Sequence, residues 1–132
     1  MSNRRKHRQQ MTPAEMQAAE RYARSWAGRL SFVEHAEQRQ AQKAVTVEEI
    51  RAAVLFGSVI EVHANAAPDC RALLRRGEVC VVLSLCTGQV VTTWRNRISD
   101  QHATLDLSQY QWPVNVVALV SGLQKLQEAV QR

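Results

Sequence analysis

Two kinds of apolar spacing divide this chain. Up to Phe56, apolar residues recur every three or four positions; from Ser58 to Arg95 they alternate or run together. The first pattern is that of helices with one buried face, the second that of strands. Met16, Ala19, Tyr22, Ala23 and Trp26 share one face at helical spacing and predict a helix from Pro13 to about Ala27, with Gly28 near its end. Thr12-Pro13-Ala14-Glu15 opens it as a capping box with proline at the first helical position. Ser31-Phe32-Val33-Glu34 repeats the signal and predicts a second helix to about Lys43. Thr46-Val47-Glu48-Glu49 predicts a third through Phe56, with Gly57 placed for a left-handed C-cap.

The strand pattern predicts segments at 58–63, 71–75, 79–86 and 89–95. They are separated by a loop at 65–69, a turn at Arg76-Gly77 and a two-residue hairpin turn at Thr87-Gly88. That hairpin turn would pair Cys86 with Gln89, Ser84 with Val91, Val82 with Thr93 and Cys80 with Arg95. The core face would then carry Val79, Val81, Leu83, Leu85, Val90, Thr92 and Trp94, and a one-residue slip would reverse the assignment. Residues 96–104 are a polar connection, 105–112 fit either a strand or a short helical lead-in, and 114–130 predict a closing helix weakened by Gly122. The fold class is therefore α+β: N-terminal helices, a small antiparallel sheet of about four strands, and a C-terminal helix. Residues 12–132 form a single domain behind a disordered basic arm at 1–11.

Composition narrows the setting. A chain of 132 residues with 45% hydrophobic and 22% charged residues can bury a sizeable core. Of the net charge of +5, Arg4, Arg5, Lys6 and Arg8 supply four, so the body is nearly neutral and the basicity lies in the arm. Such an arm can hold a phosphate backbone loosely or remain a solvated terminus. No apolar stretch follows the charged N-terminus, and the most apolar run, 114–123, is too short to span a bilayer, which takes about 20 residues. Cys70, Cys80 and Cys86 form no C-x-x-C pair; as free thiols they fit a reducing, cytoplasmic compartment. His7, His35, His63 and His102 show no metal-ligand spacing, and no phosphate-binding glycine loop or nucleophile elbow is present. No metal, cofactor or membrane is expected.

Two clusters carry candidate chemistry. His35 and Arg39 stack on one helix face, and Lys43 extends it by a turn. Neighbouring cations favour a neutral imidazole, able to take a proton from a ribose 2′-hydroxyl while Arg39 or Lys43 holds the adjacent phosphate. The plainer reading is a solvated face whose charges pair with Glu34 and Glu37. Thr92, Thr93, Trp94, Arg95 and Asn96 form the second cluster: hydroxyls, a cation and an amide for a phosphate or base edge, and an indole to stack on a base. The plainer reading there is a well-formed strand. Arg71, Arg75 and Arg76 add positive charge nearby.

The run Ser31-Phe32-Val33-Glu34-His35-Ala36-Glu37-Gln38-Arg39, then Thr46-Val47-Glu48-Glu49-Ile50, Gly57-Ser58-Val59-Ile60-Glu61, Val79 to Leu85 and Val90-Val91-Thr92-Thr93-Trp94, resembles a small bacterial domain of unknown function, family 4258. The resemblance covers roughly residues 30–96. It implies a branch of the RelE, barnase and EndoU-type ribonuclease fold found in bacterial toxins and mobile-element proteins. The implied activity is metal-independent RNA cleavage by 2′-hydroxyl attack. The resemblance implies His35 as general base or acid, Arg39 as a phosphate ligand, and Thr92, Trp94 and Arg71 as further site residues. With the two clusters above, the expected catalytic residues are His35, Arg39 and Thr92, and the expected substrate-binding residues are Lys43, Arg71, Thr93, Trp94 and Arg95. Where the family often has a second arginine before the Thr46 position, this chain has only Lys43. The competing expectation is a non-catalytic module on the same fold that binds RNA or a protein partner or inhibitor. The helices outside the resemblance are candidates for homodimerisation.

Overall fold

The computed structural model describes residues 4–32, 45–64, 70–96 and 106–130. Its centre is a six-stranded mixed sheet in the order β1-β3-β4-β5-β6-β2. The strands are β1 (Arg5–His7), β2 (Ser31–Phe32), β3 (Ser58–Ala64), β4 (Cys70–Arg76), β5 (Val79–Ser84) and β6 (Gln89–Arg95). Every adjacent pair is antiparallel except β2 and β6, which are parallel. Three helices accompany it among the described residues: α1 (Pro13–Ser25), α2 (Val47–Phe56) and α3 (Val116–Val130). α1 and α2 lie against the strands and α3 packs on α1. The α+β class and the C-terminal helix stand. No helix among the described residues is long and apolar enough to cross a membrane.

One apolar cluster joins the layers. Ala19, Tyr22, Ala23 and Trp26 from α1 and its end, Ile50, Ala53 and Val54 from α2, and Val116, Val120 and Leu123 from α3 meet Val59, Val62, Ala72, Leu74, Val81, Leu83 and Val90 of the sheet. This inner face follows from strand alternation. The Thr12 and Thr46 capping boxes both form, each threonine hydroxyl accepting from the N3 backbone and each glutamate accepting from the cap N–H.

Several expectations are corrected. The sheet has six strands rather than about four, because edge strands of two or three residues are too short to show a period. Residues 5–10, expected in a disordered arm, form β1 and a 3-10 turn. β1 pairs in register with β3, and the Ala64 N–H donates to the Arg4 carbonyl at 2.9 Å. Backbone pairing and the ion pairs of Arg5 with Glu61 and Lys6 with Glu15 hold β1 in place. Ser31 and Phe32 do not open a helix; the Ser31 N–H donates to the Gly88 carbonyl as β2 joins β6. The remainder of that expected helix lies outside the described residues, as do the loop at 65–69 and most of the 96–104 connection. Gly57 is not left-handed, with φ at −76°. It is required because a Cβ there would strike the Ala53 carbonyl oxygen and lie 2.9 Å from that of Arg75.

The β5–β6 register is also slipped by one. Val81 pairs with Thr93 and Cys80 with Trp94. The connection is a four-residue loop rather than a two-residue turn: the Ser84 hydroxyl accepts from the N–H groups of Cys86 and Thr87, and Gly88 takes φ +73°. A side chain at Gly88 would also collide with the Trp26 indole. A bulge between Val82 and Leu83 then returns Val90 to the core face opposite Leu83. The inner positions of β6 are therefore Val90 and Thr93, and Thr92 and Trp94 turn outward.

Candidate functional site

The corrected register sorts the strand residues of the expected site onto two faces. Thr93 is fully buried on the helix side and its hydroxyl donates to the Cys80 carbonyl at 2.9 Å, so it is spent on the sheet rather than offered to a substrate. Arg95 reaches back to α2, where its guanidinium meets Glu49 at 2.7 Å. The Thr46 backbone N–H and this arginine together hold the Glu49 carboxyl below its ordinary pKa. Thr92, Trp94 and Arg71 all point to the opposite, outer face and are half-buried there. His35, Arg39 and Lys43 lie outside the described residues.

Cross-strand pairing arranges the outer face in rows. One row runs Arg5, His63, Arg71, Ser84 across β1, β3, β4 and β5. The next runs His7, Glu61, Leu73, Val82, Thr92, ending on β6. A third places Arg75 beside Cys80 and Cys80 beside Trp94. Rows two residues apart along a strand are separated by about 6.6 Å. Three of the expected site residues thus share a surface with Arg5, Glu61 and His63, which sequence reasoning did not assign.

These additional residues form a connected group. Glu61, only 8% exposed in its side chain, takes a two-pronged ion pair from Arg5: Nε to Oε2 at 2.9 Å and Nη2 to Oε1 at 3.0 Å. Tyr110 closes over it, accepting from Arg5 Nη2 at 2.8 Å and donating to Glu61 Oε1 at 3.3 Å. The guanidinium also lies 4.2 Å from the Tyr110 ring centroid, and the His7 ring meets Tyr110 edge-on at 5.3 Å. Hydrogen bonding to Glu61 raises the Arg5 pKa above its ordinary value; burial, then the Glu61 charge, raises that of Tyr110. His63 Nδ1 lies 3.8 Å from Glu61 Oε2.

Physical reasons explain why the group was missed. A bulge between Val59 and Glu61 turns Glu61 and His63 outward, where unbroken alternation from Val59 would aim them at the core. Arg5 falls in the expected arm, and Tyr110 in a stretch whose pattern fitted a strand and a helical lead-in equally. The available signal was Glu61-x-His63, an acid and a histidine two positions apart on one strand. Among the described residues no three His, Cys, Asp or Glu side chains are grouped to hold a metal ion. Comparison with known protein families, curated proteins and solved structures finds no match to this chain. The resemblance to family 4258 thus rests on the quoted motifs alone.

Proposed function

We propose that the protein is a ribonuclease-like protein of the toxin or mobile-element type, cleaving RNA without a metal by attack of a 2′-hydroxyl on the neighbouring phosphate. The observation that carries this reading is the common outer face of Arg71, Thr92 and Trp94, adjoining the Arg5–Glu61–His63 group. Cleavage of this kind asks for a cation at the phosphate, a proton-transfer group beside it and a surface for the unpaired base. Arg71 supplies the first, His63 stands next to it, and Trp94 supplies an aromatic face two rows away.

The test is incubation of the protein with total RNA in the presence of a chelator. Fragments bearing cyclic phosphate ends are expected. A folded wild-type protein that leaves RNA intact overturns the enzymatic reading. Salt-sensitive RNA binding in that same protein would then identify the non-catalytic binding module.

A further inference from the structure

Removal of the 2′-hydroxyl proton needs a base, and the charge gathering on the phosphate needs cations around it. A single cross-strand row puts both kinds of group side by side. His63 on β3 is the direct neighbour of Arg5 on β1 and of Arg71 on β4. Behind it, the buried Glu61 carboxylate approaches Nδ1 at 3.8 Å. That nitrogen is buried, while the His63 side chain as a whole is 24% exposed. Glu61 cannot swing away, since Arg5 and Tyr110 hold both of its oxygens.

We infer that His63 is the proton-transfer residue of the proposed ribonuclease, with Glu61 as its positioning residue and Arg5 and Arg71 flanking the scissile phosphate. This inference rests on the reading given under Proposed function. The His63 imidazole takes the proton of the 2′-hydroxyl as the 2′-oxygen bonds to phosphorus. The bond from phosphorus to the 5′-oxygen breaks, its electron pair stays on that oxygen, and a solvent water protonates it. The imidazolium returns its proton to the resulting hydroxide. The products are a 2′,3′-cyclic phosphate and a 5′-hydroxyl end, with no change of oxidation state.

At 3.8 Å the carboxylate acts on the ring through its charge and through packing, and such contacts shorten when substrate is bound. Among the described residues, the charged and titratable groups facing the ring are Glu61 on its own strand, Arg5 on β1 and Arg71 on β4, with Tyr110 bonded to Glu61 and Arg5. An anionic phosphate between the two arginines would offset their charge and leave the Glu61 carboxylate beside the imidazolium that forms.

The experiment compares wild type, His63→Gln and Glu61→Gln on a short single-stranded RNA in chelator, over the range in which imidazole titrates, about pH 5 to 8. His63→Gln is expected to lose about 100-fold or more in kcat while KM changes little. Glu61→Gln is expected to displace the acidic limb of the pH–rate profile. His63→Gln cleaving at the wild-type rate overturns the inference and leaves the ribonuclease reading intact; a wild type that cleaves nothing overturns both. Glu61→Gln that lowers thermal stability without moving the profile reduces Glu61 to a clasp between β1 and β3 and overturns its assigned role. Should His63→Gln fail to fold, the His63 imidazole resonances of wild type are followed as a 2′-deoxy analogue of the RNA is added. Displaced resonances support the inference, and unmoved ones overturn it.

Discussion

Thr92 and Thr93 are neighbours in the chain with opposite fates. The Thr93 hydroxyl, with no solvent access, is bonded to the Cys80 carbonyl across the β5–β6 pair. Thr92 stands on the outer face beside Val82. Removing a buried hydroxyl that satisfies a backbone carbonyl costs about 1–2 kcal/mol. Thr93→Val should therefore lower stability to chemical denaturation by that amount and, on the proposed ribonuclease reading, leave RNA affinity alone. On that same reading Thr92→Val should do the reverse, weakening RNA binding with stability unchanged. Loss of RNA affinity in Thr93→Val would mean that the register described here is wrong.

At the scale of elements, Glu15 does more than cap its own helix. Besides accepting from the Thr12 N–H, its Oε2 accepts from the Val116 N–H at the start of α3 and from Lys6 Nζ of β1, at 3.0 and 2.7 Å. Burial alone would push this carboxyl up, but Lys6, the Thr12 N–H and the Val116 N–H together hold it at about 2, against 4.5 for an ordinary glutamate. A carboxyl whose pKa is depressed by folding stabilises the folded state above its unfolded pKa and loses that contribution as the pH falls through the folded one. The contribution is about 3 kcal/mol. Glu15→Gln should be less stable than wild type by a comparable amount at neutral pH. The gap between their urea midpoints should stay constant down to about pH 4.5 and narrow as the pH approaches 2. A gap independent of pH would remove the charge of Glu15 from the account.

The local chemistry of this element was plain from the sequence, and its long-range use was not. Thr12-Pro13-Ala14-Glu15 and Thr46-Val47-Glu48-Glu49 read as helix starts because capping boxes are made within four residues. The Ser31 box failed because backbone pairing with β6 outweighs a marginal cap. Likewise β3 to β6 were legible as segments, since their residues alternate or branch. Their faces were not, because two bulges and a four-residue loop reset the alternation. Two of the five residues of the strand cluster, Thr92 and Trp94, consequently joined Arg71 by a route the sequence did not show. Arg5, Glu61 and Tyr110 come together across a separation of 105 residues between Arg5 and Tyr110, for which no local pattern exists.

For the molecule as a whole, the N-terminal strand is a part of the sheet rather than an appendage. Lys6 joins β1 to α1 and, through the Val114 carbonyl, to the approach of α3; Arg5 joins it to β3 and Tyr110. Deleting residues 1–7 would bare the edge of β3 and leave Glu15 and Glu61 without their cations. The truncated protein should show a clearly lower urea midpoint than wild type and a tendency to associate, seen by sedimentation. An unchanged midpoint would restore the picture of a disordered arm.

The bond from the Val116 N–H to Glu15 also bears on the order of folding. It spans 101 residues, and the same carboxylate receives the amine of Lys6. A loop of that length closes slowly, since chain entropy must be given up before any contact is gained. In a growing polypeptide α1 is made long before α3, and until α3 arrives its carboxylate can complete only the local cap and the pair with Lys6. Of the described helices, α3, made after α1, therefore locks it, and the two are expected to come apart together rather than fray one at a time.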